Sequence, residues 1–451
     1  MEGALAQKAY DFAIVGAGVV GCALARRLTL AGARVLVLEK ALDVLDGASK
    51  GNSAILHTGF DAPPGSLEQS CIAEGYKEYF EVADALGLPI LKSGALVLAW
   101  TQEQLAQLPE LVEKAHKNGV LDVQLLPRDE ILRREPNLSS DVLGGFEVPG
   151  EYLIDPWTTA HAYILQAIEN GAVLERGAEA RAARREGDGW DIDTSAGAFR
   201  AATVINCAGL YGDRLDEIFL GETHFTVIPR KGQFVVFDKA ASDLVSAIIL
   251  PVPTKKTKGV VICRTIFGNV LVGPTAEDQT SRTDASTDRQ TVQALRQTGI
   301  DMLPGLEHCE VTTLYAGLRP ATDAPEYRIQ AHEGQSYITV GGIRSTGLSG
   351  ALGIAKHVCD KLLSLGEGLR PIASPKRPQL THLSNYHTRD WETSGNGGIV
   401  CHCELVTRRE IEAALNGPMP PNTFAGLKRR TRAAMGRCQG FYCTGELCEI
   451  T

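Results

Sequence analysis

The apolar pattern opens with residues 10–15, Tyr-Asp-Phe-Ala-Ile-Val, a short run without helical period that predicts a buried parallel strand. Residues 19–31 then follow a helical pattern that Gly32 ends, and residues 34–39, Arg-Val-Leu-Val-Leu-Glu, predict a second strand. The chain therefore begins with a βαβ unit. Beyond residue 50, helical stretches (68–86, 102–118, 157–170) alternate with strand-like ones (94–99, 190–205, 233–238, 259–264, 269–273). Residues 203–209 and 337–342 read as further buried strands, and 349–365 as a helix. This pattern predicts an α/β body whose Rossmann-like part interleaves with a mixed-sheet, α+β part over residues 1–370. Residues 371–398 hold Pro371, Pro375, Pro378 and a Ser-Gly-Asn-Gly-Gly run, and read as a linker without a core. Residues 399–451 read as a small helical terminal domain, in which two short helices bring cysteine pairs together. No internal repeat is visible.

Composition narrows the class. The chain has 451 residues, 44% hydrophobic and 22% charged, which is ordinary globular usage. A net charge of −9 argues against nucleic acid as a partner. No apolar run is long enough to span a bilayer. The start, Met-Glu-Gly-Ala-Leu-Ala-Gln-Lys, lacks the basic-then-apolar profile of a signal peptide, so a cytoplasmic location is expected, with peripheral membrane contact left to a partner. Cys22, Cys71, Cys207, Cys263, Cys309 and Cys359 are scattered singly and read as buried small hydrophobes in a reducing compartment.

Two patterns carry chemistry. Gly16, Gly18 and Gly21 stand at the strand end and helix start, and Glu39 lies 18 residues after Gly21. Such glycines let backbone amides approach a pyrophosphate at the positive helix end, and the acid suits a ribose hydroxyl. At the other end, Cys401-His402-Cys403 and Cys438-Gln439-Gly440-Phe441-Tyr442-Cys443 are separated by 34 residues. Two close cysteine pairs suggest a four-thiolate site for iron–sulfur or zinc, although the single-residue first spacing differs from ordinary zinc pairs. Cys448 stands outside the count of four. The basic stretch Lys428–Arg432 reads as a solvated helix side or a docking face.

The first part of the chain resembles the D-amino-acid-oxidase-type flavoprotein superfamily, within it the glycerol-3-phosphate dehydrogenase and L-2-hydroxyglutarate oxidase branch. The matching pieces run in order from Gly16–Gly21, Glu39 and Ser49–His57 through Asn206-Cys207-Ala208-Gly209, Pro229–Gln233 and Gly268–Pro274. They continue to Tyr315–Pro320 and Gly341–Gly347. The resemblance implies bound FAD. Glu39 and Lys40 would lie at the adenosine ribose, Ser49, Asn52 and Ser53 along the pyrophosphate and ring, and Gly209, Gly347 and Leu348 near the flavin. No second GxGxxG for a nicotinamide cofactor is present. His57 would be the base beside the flavin and Arg319 the anion-binding residue of the substrate pocket. Arg344 and Lys231 are further substrate-binding candidates; solvated or structural roles remain open for both.

The tail resembles the bacterioferritin-associated-ferredoxin-like [2Fe-2S] domain, with Cys401, Cys403, Cys438 and Cys443 as ligands. Together the resemblances imply a dehydrogenase of a small anionic alcohol, glycerol 3-phosphate foremost. Two electrons would enter FAD as a hydride and leave singly through [2Fe-2S] to an electron-accepting subunit or quinone-linked partner. Oxidation of a 2-hydroxy acid or an amino or imino acid, and a zinc-stabilised interaction module on a flavoprotein scaffold, are the alternatives.

Overall fold

The computed structural model describes residues 10–253, 259–364 and 369–451. Its first sheet is built around five parallel strands in the order Tyr337–Gly341, Gly197–Asn206, Tyr10–Val15, Val35–Glu39 and Val173–Arg176. Such a sheet is buried on both faces, which is why Val35–Leu38 and Ala13–Ile14 read as unbroken apolar runs. Helices Val19–Leu30, Pro156–Glu169 and Gly347–Ser364 cover one face through a core that includes Leu24, Leu28, Tyr163 and Val358. The stretch at 190–205, expected as one strand, is two. Gly189–Thr194 and Gly197–Asn206 pair antiparallel around Ser195-Ala196, and Gly197, with φ of +125°, supplies the reversal.

A second, nine-stranded sheet forms the other half of the body. Its long antiparallel pair, Val227–Phe237 with Val311–Thr322, puts Arg230 opposite Arg319 and Gly232 opposite Gly317. The two sheets meet where the turn after the second strand lies backbone to backbone on this pair, a Cβ on Gly51 falling 2.8 Å from the Gly317 Cα.

Residues 371–398 contain one regular element among the described residues, the short turn Asp390–Glu392. The segment is nonetheless tied down. Ile372 N–H donates to Leu30 O, Asn385 N–H donates to Ile266 O, and Leu383 is buried in the core under the second sheet. The tail has its own core of Val400, Val406, Ile411, Leu427 and Leu447. Three helices surround it rather than two: Arg408–Asn416, Phe424–Thr431 and Thr444–Ile450. The first is opened by a capping box between Thr407 and Glu410. The third is short and carries Gly445, so its pattern is too brief to read from sequence.

The basic stretch is not a solvated helix side: three of its arginines turn inward. Arg430 clasps Asp43 with bonds of 2.9 and 2.8 Å, and Arg429 reaches Val44 O at 3.1 Å. Arg432 pairs with Glu404 at 2.8 Å, and Lys239 joins the same carboxylate at 3.3 Å. Asp43, Glu404, Arg429 and Arg432 are all buried. Sequence could not show this, because a charge run looks alike whether it faces water or complementary buried acids.

Removing one partner of a buried pair strands the other charge in low dielectric, at a cost of about 3–5 kcal/mol. Arg430→Met leaves Asp43 with only Arg176, 3.7 Å away, and should lower the unfolding free energy of the holoprotein in urea by up to that amount, whereas the exposed control Lys117→Met should leave it nearly unchanged. A loss below about 1 kcal/mol for Arg430→Met is the value of a solvated pair and would contradict this account.

Candidate active site

The glycine turn is shaped by contacts that no side chain could share. Gly16 has φ of +111°, and a Cβ there would lie 2.4 Å from Cys207 O; at Gly21 it would lie 1.9 Å from Gly16 O. The first helix is thereby pressed onto the strand ends with its N-terminus open to a cleft. Ser49 Oγ accepts from Val19 N–H at 3.0 Å, and the Glu39 carboxylate accepts from Ala17 and Ala41 N–H at 2.7 and 2.8 Å. Burial raises the Glu39 pKa, partly offset by those two N–H groups. Lys40 Nζ stands 3.2 Å over the Tyr211 ring.

The cleft has a volume of about 580 Å³ and runs from Glu39 and Lys40, past the glycine turn, to the end of the second sheet. Gly16, Gly18, Gly21, Ser49, Asn52, Ser53, Gly209, Gly347 and Leu348 all line it, as do Arg319 and Arg344. Segments far apart in sequence thus meet on one surface. Its parts suit FAD: an open helix N-terminus for the pyrophosphate, a half-buried acid for the ribose, and room beyond the glycine turn for the ring.

Arg319 is largely buried, and burial pulls its guanidinium pKa down to about 10. It donates to Thr275 O at 2.6 Å and more weakly to Arg230 O and Lys231 O. Among the described residues no carboxylate pairs with it within 4.0 Å. Arg344 differs, because it is paired with the buried Glu68 at 2.9 Å, which also accepts from Thr346. Lys231 lies off the cleft lining, 3.8 Å from Asp284.

His57 also lies outside the cleft lining, just after the short strand Ile55–Leu56. Its backbone N–H donates to Ser349 Oγ at 2.9 Å. Its Nδ1 is 2.7 Å from Glu151 Oε2, and Glu151 Oε1 accepts from Thr58 N–H and Oγ1–H at 2.6 and 2.8 Å. Glu151 is wholly buried. A carboxylate at this spot accepts from Nδ1–H and leaves Nε2 as the free acceptor. Glu151 is the residue that sequence reasoning missed. Its only signal was an acid in the Pro-Gly-Glu-Tyr turn before an apolar strand.

In the tail the four thiols face one another as two pairs, Cys403 with Cys438 and Cys401 with Cys443. Among the described residues they do not close into a finished ion cage. The N–H of Tyr442, then those of Gly440 and Phe441, point at the Cys438 sulfur and lower its pKa. Burial pushes Cys443 up to about 11, against the Ala434 N–H. N–H donors aimed at converging sulfurs fit an iron–sulfur cluster, whose sulfurs accept such bonds. Cys448 is exposed.

Comparison with known proteins agrees with both ends. The FAD dependent oxidoreductase family matches residues 11–361, and the BFD-like [2Fe-2S] binding domain matches residues 399–450. A glycerol 3-phosphate dehydrogenase of Caloramator mitchellensis is 33% identical over 98% of this chain and 93% of its own. A glycerol 3-phosphate oxidase of Mycoplasma pneumoniae is 30% identical over 77% of this chain and 93% of its own. The solved structure of dithionite-reduced L-α-glycerophosphate oxidase from Mycoplasma pneumoniae, with FAD bound, superposes with a TM-score of 0.77 at 26% identity. That superposition covers 83% of this chain and 100% of that one.

Cys403→Ser should abolish the visible absorption of the cluster and its low-temperature EPR signal after dithionite, while FAD stays bound. Cys448→Ser should keep both signals; their loss would place Cys448 among the ligands.

Proposed function

The chain belongs to the FAD dependent oxidoreductase family and ends in a BFD-like [2Fe-2S] binding domain, and from that premise we propose a dehydrogenase converting glycerol 3-phosphate to dihydroxyacetone phosphate. The observation that carries this reading is the Caloramator relative, whose similarity spans both the oxidoreductase body and the cysteine tail. Bound FAD supplies a hydride acceptor and the [2Fe-2S] cluster a one-electron carrier.

The residues divide the work as follows. Glu39 and the Gly16–Gly21 turn hold the adenosine and pyrophosphate. Arg319 anchors the anionic end of the substrate, since its guanidinium lines the cleft and, among the described residues, donates only to carbonyl oxygens. Lys231 lends its backbone carbonyl to that guanidinium, while Arg344 adds positive charge at the cleft edge that Glu68 already balances. His57 takes the hydroxyl proton at Nε2, and Glu151 holds the imidazole in the tautomer that leaves Nε2 free. Cys401, Cys403, Cys438 and Cys443 hold the cluster, whose electrons pass to a partner subunit or quinone-linked protein.

A 2-hydroxy acid such as L-2-hydroxyglutarate is the second reading, because a guanidinium fork takes a carboxylate as well as a phosphate. Anaerobic mixing decides between them: glycerol 3-phosphate should bleach the flavin. Failure to bleach with it, and bleaching by a 2-hydroxy acid, would transfer the assignment. Glu151→Gln should bind FAD normally yet slow bleaching by about 10- to 100-fold, with Glu151→Asp partly restoring the rate. A normal rate in Glu151→Gln would remove it from the mechanism.

A further inference from the structure

Three side chains from separate segments stack between the cleft and the cysteine tail. Trp157, at the start of the Pro156–Glu169 helix, donates its indole N–H to Lys50 O at 3.3 Å. Lys50 belongs to the Ala48–Lys50 turn that lines the cleft. The Trp157 ring lies on Phe267, with centroids 5.8 Å apart and planes inclined by 12°. On Phe267 rests the Arg432 guanidinium, 3.8 Å from the ring centre. Arg432 bonds Glu404 at 2.8 Å, and Glu404 directly follows Cys403.

Phe267 and Arg432 are buried, 5% exposed each. A cation placed there is costly unless it is paired, and a hydrophobic side chain of similar volume would fill the space at no such cost. Arg432 is paired through Glu404 and lies flat on an aromatic face, which is a stabilising position for a desolvated guanidinium. Packing alone does not require that combination. The stack is a continuous line of contacting groups from the cleft wall to a cluster ligand, across the seam between the two parts.

We propose that the Trp157–Phe267–Arg432 stack is the route by which electrons cross from the flavin cleft to the [2Fe-2S] domain. The inference rests on the one-electron outlet of the proposed function. Electron transfer weakens steeply with distance, and less steeply through contacting atoms than across a gap. The balance is as follows. Oxidation of the alcohol breaks its C–H and O–H bonds and forms the carbonyl, with two electrons reaching the flavin. The cluster holds one electron at a time, so each substrate requires two crossings, each followed by departure to a one-electron acceptor. The hydroxyl proton leaves by way of the base, and the proton held on the flavin goes to solvent as the electrons depart.

The test uses the holoenzyme with its flavin reduced by light and EDTA under anaerobic conditions, so that it does not depend on which substrate is correct. Cluster reduction is followed by visible absorption and freeze-quench EPR. Phe267→Leu and Trp157→Leu should each slow it by about tenfold, while Trp157→Phe, which keeps a ring on Phe267, should stay near the native rate. Redox titration should give unchanged potentials for both centres, so that the slower rate reports coupling rather than driving force. Native rates in both leucine variants would overturn the route. If Phe267→Leu loses its cluster or flavin, Phe267 is a packing residue and Trp157→Leu, at the partly exposed end, decides; a native rate there overturns the proposal. Failure of glycerol 3-phosphate to reduce the flavin bears on the substrate alone.

Discussion

The arrangement of the molecule depends on a buried carboxylate. Asp43 lies in the segment that follows the second strand, and Arg430 of the tail clasps it with two hydrogen bonds. A lone charge in that position would be expensive, and Arg430, with Arg176 at 3.7 Å on the same carboxylate, neutralises it. The same segment continues into Asp46 and the turn that lines the cleft. One interaction therefore fixes the tail and the wall of the flavin site together. Arg429 with Val44 O and Arg432 with Glu404 extend the lock, with Lys239 contributing from the turn that follows the Val227–Phe237 strand. The cysteines are thus held at a set place against the oxidoreductase body.

A second constraint acts inside the cleft. The turn after the second strand lies against Gly317 of the long antiparallel pair, and Arg319 is two residues further along that strand. Cofactor wall and anion anchor are consequently positioned by one backbone contact. Among the described residues Arg319 donates to carbonyl oxygens, with the Asp278 carboxylate acting on it from a greater distance. His57 is fixed from two other directions, by Ser349 on the Gly347–Ser364 helix and by Glu151 before the Tyr152–Ile154 strand. The two sides of the proposed chemistry are each set by elements distant in sequence.

Much of this was legible in the chain. The strands at 10–15 and 35–39 and the helix between them follow from apolar runs and glycines whose physics is local. The cleft-lining glycines, Glu39 and the Ser49–Ser53 turn were readable because a phosphate-binding turn needs those residue types in that order. The cysteine pairs were readable because thiolates cluster for few purposes. Glu151 and the roles of Arg429 to Arg432 were not. An acid in a turn and a basic run have many meanings, and only their distant partners select one.

Sequence by itself determined the βαβ unit, the glycine cradle, the four clustered cysteines and the order of the two parts, since each is specified by residues close together in the chain. Tertiary structure alone decided that the basic run faces inward, that Glu151 holds His57, that Arg344 is paired with Glu68 while Arg319, among the described residues, has no ion-pair partner within 4.0 Å, and that Trp157, Phe267 and Arg432 stack across the seam. The physical reason is that burial and pairing are properties of partners. A charge or a ring acquires its role from what packs against it, and here those partners lie up to 387 residues away.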